Sequence, residues 1–163
     1  MNRTRLSGAV IINLLGSPVI PGVRPLSMSK TEPRLESLIE SLRAGPPRAA
    51  YLARRELTGF GRAAEAPLIH LLREVNDAHR ILDVLAVLRD VKMSAPASVD
   101  SVVGLLSHKE AFVRGAAAHC LLVGSPKLRR VLARIRAAHA VEKHEGVLAT
   151  LQKLLDRYPR GAA

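Results

Sequence analysis

His70-Leu71-Leu72-Arg73-Glu74-Val75-Asn76-Asp77-Ala78-His79-Arg80 and Gly104-Leu105-Leu106-Ser107-His108-Lys109-Glu110-Ala111-Phe112-Val113-Arg114 align without a gap. In each stretch the second leucine of a Leu-Leu pair is followed by Arg eight residues later and by Leu sixteen residues later, at Leu88 and Leu122. One supersecondary unit is therefore used twice. Weaker copies flank it: Leu42 and Ile135 replace the leading leucine and Leu57 and Leu151 follow, so the anchors 42, 72, 106 and 135 are spaced by 30, 34 and 29 residues. A fixed period in this range is the signature of a repeat architecture. A lone helix pair with one apolar stripe per helix cannot close a core, and stacking a neighbour on it supplies the missing face. The expected fold is all-α: an α-solenoid of about four stacked antiparallel helix pairs, without strands.

Helical spacing sets in after Pro33. Leu35, Leu38, Ile39 and Leu42 form the first stripe, Gly45-Pro46-Pro47 stops that helix and starts the next, and Tyr51, Leu52 and Leu57 are expected to face inward. The second pair carries Leu68, Leu71, Leu72 and Val75, then a turn at Asn76-Asp77, then Ile81, Leu82, Leu85, Leu88 and Val91. Val84 and Val87 widen the apolar arc of its second helix, as an interior helix packed on both sides requires. The third pair has Val99, Val102, Val103 and Leu106, then Phe112, Val113, Ala116, Ala117, Cys120 and Leu121. Gly124-Ser125-Pro126 reads as a stop and restart, with Ser as cap and Pro at the first helical position. The last pair runs through Leu128, Val131, Leu132 and Ile135, then Val147, Leu148, Leu151, Leu154, Leu155 and Tyr158.

Composition fits one domain with an aliphatic core: 163 residues, 48% hydrophobic, with no Trp, two Tyr and two Phe. Alanine clusters such as Ala116-Ala117-Ala118 allow close helix approach. Cys120, the one cysteine, has no second thiol in the chain to pair with and lies in the apolar stretch, so it reads as a packed small side chain rather than a nucleophile.

Residues 1–31 differ in kind. They hold Pro18, Pro21 and Pro25, four bases (Arg3, Arg5, Arg24, Lys30), no acid, and a short apolar run from Ala9 to Leu15. That run is shorter than the roughly 20 residues needed to span a bilayer, and no small-residue cleavage site follows it as a signal peptide requires. The expectation is a disordered or poorly structured basic extension, native, cleaved, or translated ahead of a working start at Met28, followed by a helical-repeat domain over residues 32–160. A cytoplasmic location goes with this reading.

Ala66-Pro67-Leu68-Ile69-His70-Leu71-Leu72, the turn residue Asp77 with Arg80, and Lys109-Glu110-Ala111-Phe112-Val113-Arg114-Gly115-Ala116-Ala117 resemble HEAT-like repeats of the short bacterial, armadillo-type kind. The resemblance covers about 125 residues, from Pro33 to Tyr158, with units shorter than the usual 40–47 residues of the class. It implies a structural ladder of Asp77, Arg80 and Arg114, in which each arginine bridges to the turn of a neighbouring unit, with Arg48 or His144 as degenerate versions. It also implies a protein-interaction role. DNA glycosylases and phycobilin lyases occur among HEAT-like proteins, so a subunit of a DNA-repair or lyase-type enzyme is a further possibility that the resemblance brings.

The residues themselves offer little chemistry. No His-Glu-x-x-His occurs, the six histidines and one cysteine lack zinc spacing, and Gly59-Phe60-Gly61 lacks the pattern of a phosphate loop. Glu36 and Glu40 share a helix face with Arg43 close by, which reads as a solvated charged face rather than an acid/base pair. No catalytic residue, cofactor or metal is expected.

Charge is more informative. The net charge is +11; residues 32–110 carry eleven bases and eleven acids, whereas residues 111–141 carry six bases and no acid. In the latter, Lys127, Arg130 and Arg134 recur at i, i+3 and i+7, with Arg129 and Arg136 flanking, opposite the stripe of Leu128, Val131, Leu132 and Ile135. A basic amphipathic helix over 126–137 is expected, able to meet an acidic protein surface or a nucleic-acid backbone. The second candidate surface is the concave face of the second helices, where Arg54, Arg55, His79 and His119 are expected to point outward. The favoured function is a non-enzymatic interaction scaffold with a protein partner, acidic at its contact surface. Nucleic-acid binding is the alternative.

Overall fold

The computed structural model describes residues 31–124 and 128–159. Among the described residues there are eight α-helices and no strand: α1 (Thr31–Ala44), α2 (Pro47–Gly59), α3 (Glu65–Glu74), α4 (Ala78–Asp90), α5 (Pro96–Gly104), α6 (Ala111–Gly124), α7 (Leu132–Val141) and α8 (Glu145–Asp156). Three 3-10 turns, at Gly61–Ala64, Leu105–Ser107 and Arg129–Val131, join or extend them. They belong to a unit that begins at Thr31, so the expected boundary at residue 32 falls one residue inside α1; the extension before it lies outside the described residues.

Local sequence explains the punctuation. Proline occupies the first turn of α2 and of α5, where no intrahelical donor is needed. The carboxylate of Asp77 accepts from the Arg80 amide at 2.9 Å and caps α4. After α2 the chain turns through Gly61, at φ +53°, a left-handed conformation that glycine adopts without a Cβ clash.

Each helix packs on its hairpin partner: α1 on α2, α3 on α4, α5 on α6 and α7 on α8. The second helices then contact one another in chain order, α2 with α4, α4 with α6 and α6 with α8. The first helices do the same from α1 to α3 to α5, and α7 continues the series by meeting the 3-10 turn that follows α5. Among the described residues no extensive packing joins α1 or α2 to α7 or α8.

The core is aliphatic. All four anchors, Leu42, Leu72, Leu106 and Ile135, are buried, as are Leu57, Leu88 and Leu151 sixteen or so residues beyond. Each such leucine contributes about 1.5–3 kcal/mol on leaving water. Alanine sets the spacing between helices: Ala50 and Ala53 line the inner side of α2, and Ala117 and Ala118 that of α6. At the end of α6 the approach to α4 is closer still, because a Cβ on Gly124 would lie 3.1 Å from the Arg89 Cα. Cys120 is buried among these residues, and burial pushes its thiol up to about 12.

Three inward assignments are corrected. Tyr51, Leu52 and Phe112 are exposed, at 56%, 49% and 48%. The reason is the helical period. The inner stripe of α2 is Ala50, Ala53 and Leu57, and that of α6 is Val113, Ala117, Cys120, Leu121 and Gly124. Tyr51 and Phe112 stand one position, about 100°, off those stripes. Small residues took the places that size alone would have given to the large ones.

Candidate partner-binding surfaces

The polar groups divide into those that fasten neighbouring helix pairs and those left facing outward. Arg114, in the first turn of α6, donates from Nε and Nη2 to both carboxylate oxygens of Glu142, at 2.7 and 2.8 Å, and from Nη1 to the His108 and Lys109 carbonyls. Glu142 Oε1 also accepts the Lys143 and His144 amides, closing the turn before α8. The Glu142 side chain is 3% exposed, and the hydrogen bonds from Arg114 hold its carboxyl down at about 2. Arg80, at the matching position of α4, instead reaches back to the Gly45 carbonyl between α1 and α2. The two arginines thus grip neighbouring turns in opposite directions along the chain. Asp77 caps its helix through the Arg80 backbone and takes no guanidinium, and among the described residues neither the Arg48 nor the His144 side chain bonds to a neighbouring turn.

Glu65 forms a second fastener. Buried at the start of α3, it accepts from the Ser94 and Ala95 amides at 3.0 and 2.9 Å and from the Ser94 hydroxyl, ahead of α5. Burial pushes its carboxyl up, but hydrogen bonds from Ser98, Ala95 and Ser94 outweigh that and leave it below its usual range.

The basic segment differs from the helix expected over 126–137. The chain makes a 3-10 turn at Arg129–Val131, and α7 starts only at Leu132. A 3-10 turn brings i and i+3 to one side, so Leu128 and Val131 are buried without α-helix, and the apolar spacing alone could not separate the two. Lys127, with the Ser125 and Pro126 signals, lies outside the described residues. Arg130 and Arg134 are not free: both bind Asp100 of α5, at 2.7 and 3.0 Å, and Arg130 also donates to the Pro96 carbonyl. Arg136 donates to the Tyr158 carbonyl at 3.3 Å beside a cleft of about 390 Å³ between α7 and α8. Arg129 is exposed and has no ion pair among the described residues.

On the second-helix layer Arg54 pairs with Asp83 of α4 at 3.1 Å. Tyr51, Arg54, Arg55 and Thr58 of α2 line a small cleft of about 80 Å³ with Val87 and Asp90 of α4. One helix further, the His79 ring lies 6.1 Å from that of Phe112, bridging α4 and α6. Phe112, His119 and Val123 are exposed on one stripe of α6, at i, i+7 and i+11. Of the four concave-face candidates, Arg55, His79 and His119 are exposed and Arg54 is engaged. Tyr51 and Phe112 belong to this surface and were missed, because an aromatic residue in an apolar run reads as core; counting their helical offset from Ala50 and Val113 would have found them. Asp83, Asp100 and Glu142 were missed as partners, although each lies 28–34 residues from its arginines.

Among the described residues no group of three or more His, Cys, Asp or Glu is arranged to hold a metal ion, and no helix is long and apolar enough to cross a membrane. Comparison of the chain with protein-family models, curated proteins and solved structures finds no match.

Proposed function

We propose that residues 31–124 and 128–159 belong to a HEAT-like α-solenoid that works as a non-enzymatic adaptor, binding a protein partner on the face of its second helices. The solenoid reading is supported by the sequence separation of the polar contacts between pairs, which stays within 28–35: 28 for Arg114–Glu142 and Arg73–Ser101, 29 for Arg54–Asp83 and Glu65–Ser94, 30 for Arg130–Asp100, 34 for Arg134–Asp100, and 35 for Arg80–Gly45 and Arg157–Leu122. In a sequential stack each unit touches only its neighbours, so contacts recur one period apart. A closed bundle would add contacts spanning most of the chain.

The observation that carries the adaptor reading is the exposure of Tyr51 and Phe112 on that face. The chain has four Phe and Tyr residues, and the other two, Phe60 and Tyr158, pack against the core. Aromatic residues with one exposed face are what protein-binding surfaces concentrate, since they supply large contact area at small entropic cost. The basic segment is the weaker candidate, because Asp100 already draws Arg130 and Arg134 onto the protein itself.

The test is affinity capture of the tagged chain from its native host, with and without nuclease. A protein partner that survives nuclease supports the adaptor reading. Loss of all captured material on nuclease treatment overturns it in favour of nucleic acid.

A further inference from the structure

We infer that the second-helix face takes an extended, acidic segment of its partner, with two apolar anchor side chains five or six residues apart. The inference rests on the adaptor reading above. Four observations carry it.

The first is charge that the chain itself leaves unanswered. All fourteen acidic side chains lie among the described residues, so the segments outside them hold none with which to neutralise this face. On α2, Arg48 and Arg55 are exposed, and neither has an ion pair among the described residues. Arg54 beside them is held by Asp83, and Arg34 satisfies Glu56 on the side towards α1. From α6 no acid faces the surface, since residues 111–141 contain none. Asp90, which lines the cleft beside Arg55, is held by Arg89 at 2.7 Å, so carboxylates of a partner would relieve the unpaired arginines on α2.

The second observation is the placement of the aromatics. Tyr51 stands beside the cleft between α2 and α4, and Phe112, backed by the His79 ring, stands between α4 and α6. Their helices, α2 and α6, flank α4 and lie two helix-to-helix steps apart, roughly 16–20 Å between axes at the usual spacing of packed helices. Extended chain advances about 3.3–3.6 Å per residue, so five or six residues span the gap.

The third is the mixed polarity of the floor. Asp90 lines the same cleft as Tyr51 and Arg55, and Asp83 lies on α4 between the two aromatics. Both carboxylates are already paired, Asp83 with Arg54 and Asp90 with Arg89, so what argues against nucleic acid is that two separate aromatic stations do not provide the run of platforms on which successive bases stack. A polypeptide places its charges where they are wanted and leaves neutral residues over Asp83 and Asp90.

The fourth is sparing stability. Arg48, Tyr51, Arg55 and Phe112 are all exposed, and none lies in the buried core. Substitutions at such positions usually move stability by no more than about 0.5 kcal/mol.

The probe is a display library of random twelve-residue peptides, selected on the full chain and counter-selected on its Tyr51→Ala/Phe112→Ala variant, with circular dichroism showing both to be folded. The expected winners carry two apolar anchors five or six residues apart, at least one aromatic, and Asp or Glu flanking one of them. A synthetic winner should bind the Arg48→Glu/Arg55→Glu variant at least tenfold more weakly than wild type, and the same peptide with Lys in place of its acids should reverse that preference. Winners with neutral or basic flanks, or with no loss on charge reversal, overturn the acidic segment while leaving the adaptor reading intact. Failure to enrich any peptide overturns the inference; tight binding of a labelled twenty-residue oligothymidylate in its place removes the adaptor reading as well.

Discussion

Arg114 and Glu142, 28 residues apart in sequence, are joined by two parallel hydrogen bonds of 2.7 and 2.8 Å that tie the start of α6 to the turn before α8. The planar guanidinium matches the carboxylate edge, which is why lysine would not replace it. Glu142 has a folded-state value of about 2, below that of an unfolded glutamate, so its contribution is complete above the ordinary carboxylate range and is lost as pH falls toward 2. The melting temperature should therefore drop between pH 5 and pH 2 in part through this group. Glu142→Gln should flatten that dependence and cost about 2–3 kcal/mol at neutral pH, somewhat less than the ~3–5 kcal/mol of a fully buried pair because Arg114 keeps some contact with water. Chemical denaturation at pH 7 and pH 3 checks both.

Glu65 makes a parallel case with neutral donors. Glu65→Ala leaves the Ser94 and Ala95 amides without their acceptor and opens space beneath α5. The expected loss is about 2–3 kcal/mol, the range for charge-assisted hydrogen bonds to a buried group. Glu65→Gln keeps an acceptor oxygen and should recover part of it. Equal stability of the two variants in urea titration would show that the hydrogen bonds contribute little.

Asp100 restrains the basic segment, since it holds Arg130 and Arg134 together. All three side chains are substantially exposed, so Asp100→Asn should change stability by less than about 1 kcal/mol. It should also free two guanidinium groups, so that the variant elutes from a heparin column at higher salt than wild type. Elution at the same salt would mean that the arginines already face outward in solution despite the carboxylate.

The buried positions were legible because leucine spacing reports burial directly: Leu42, Leu72, Leu106 and Ile135 could be placed in a core from their intervals alone. Helix pairs and turns followed from Gly45-Pro46-Pro47 and Asn76-Asp77. What stayed illegible depended on choices among near neighbours. Tyr51 and Ala50 differ by one position in a run of apolar residues, and only packing against α1 and α4 selects the smaller side chain for the inside. The 3-10 turn at Arg129–Val131 mimics a helical stripe over one turn, so the α7 start could not be read. The ion pairs with Asp83, Asp100 and Glu142 require knowing which helices are adjacent, which is tertiary information. Arg55, His79 and His119 are exposed as expected, whereas Tyr51 and Phe112 beside them were assigned to the core.

The most direct measurement sets the two surfaces against each other with one purified partner, comparing its dissociation constant for wild type, for Tyr51→Ala/Phe112→Ala, and for Arg130→Glu/Arg134→Glu. With all three proteins melting within a few degrees of one another, loss of binding by at least tenfold in the aromatic variant and a change under threefold in the arginine variant is the expected result. Undiminished binding by the aromatic variant, with loss in the arginine variant, would contradict the second-helix face and return the function to the basic segment.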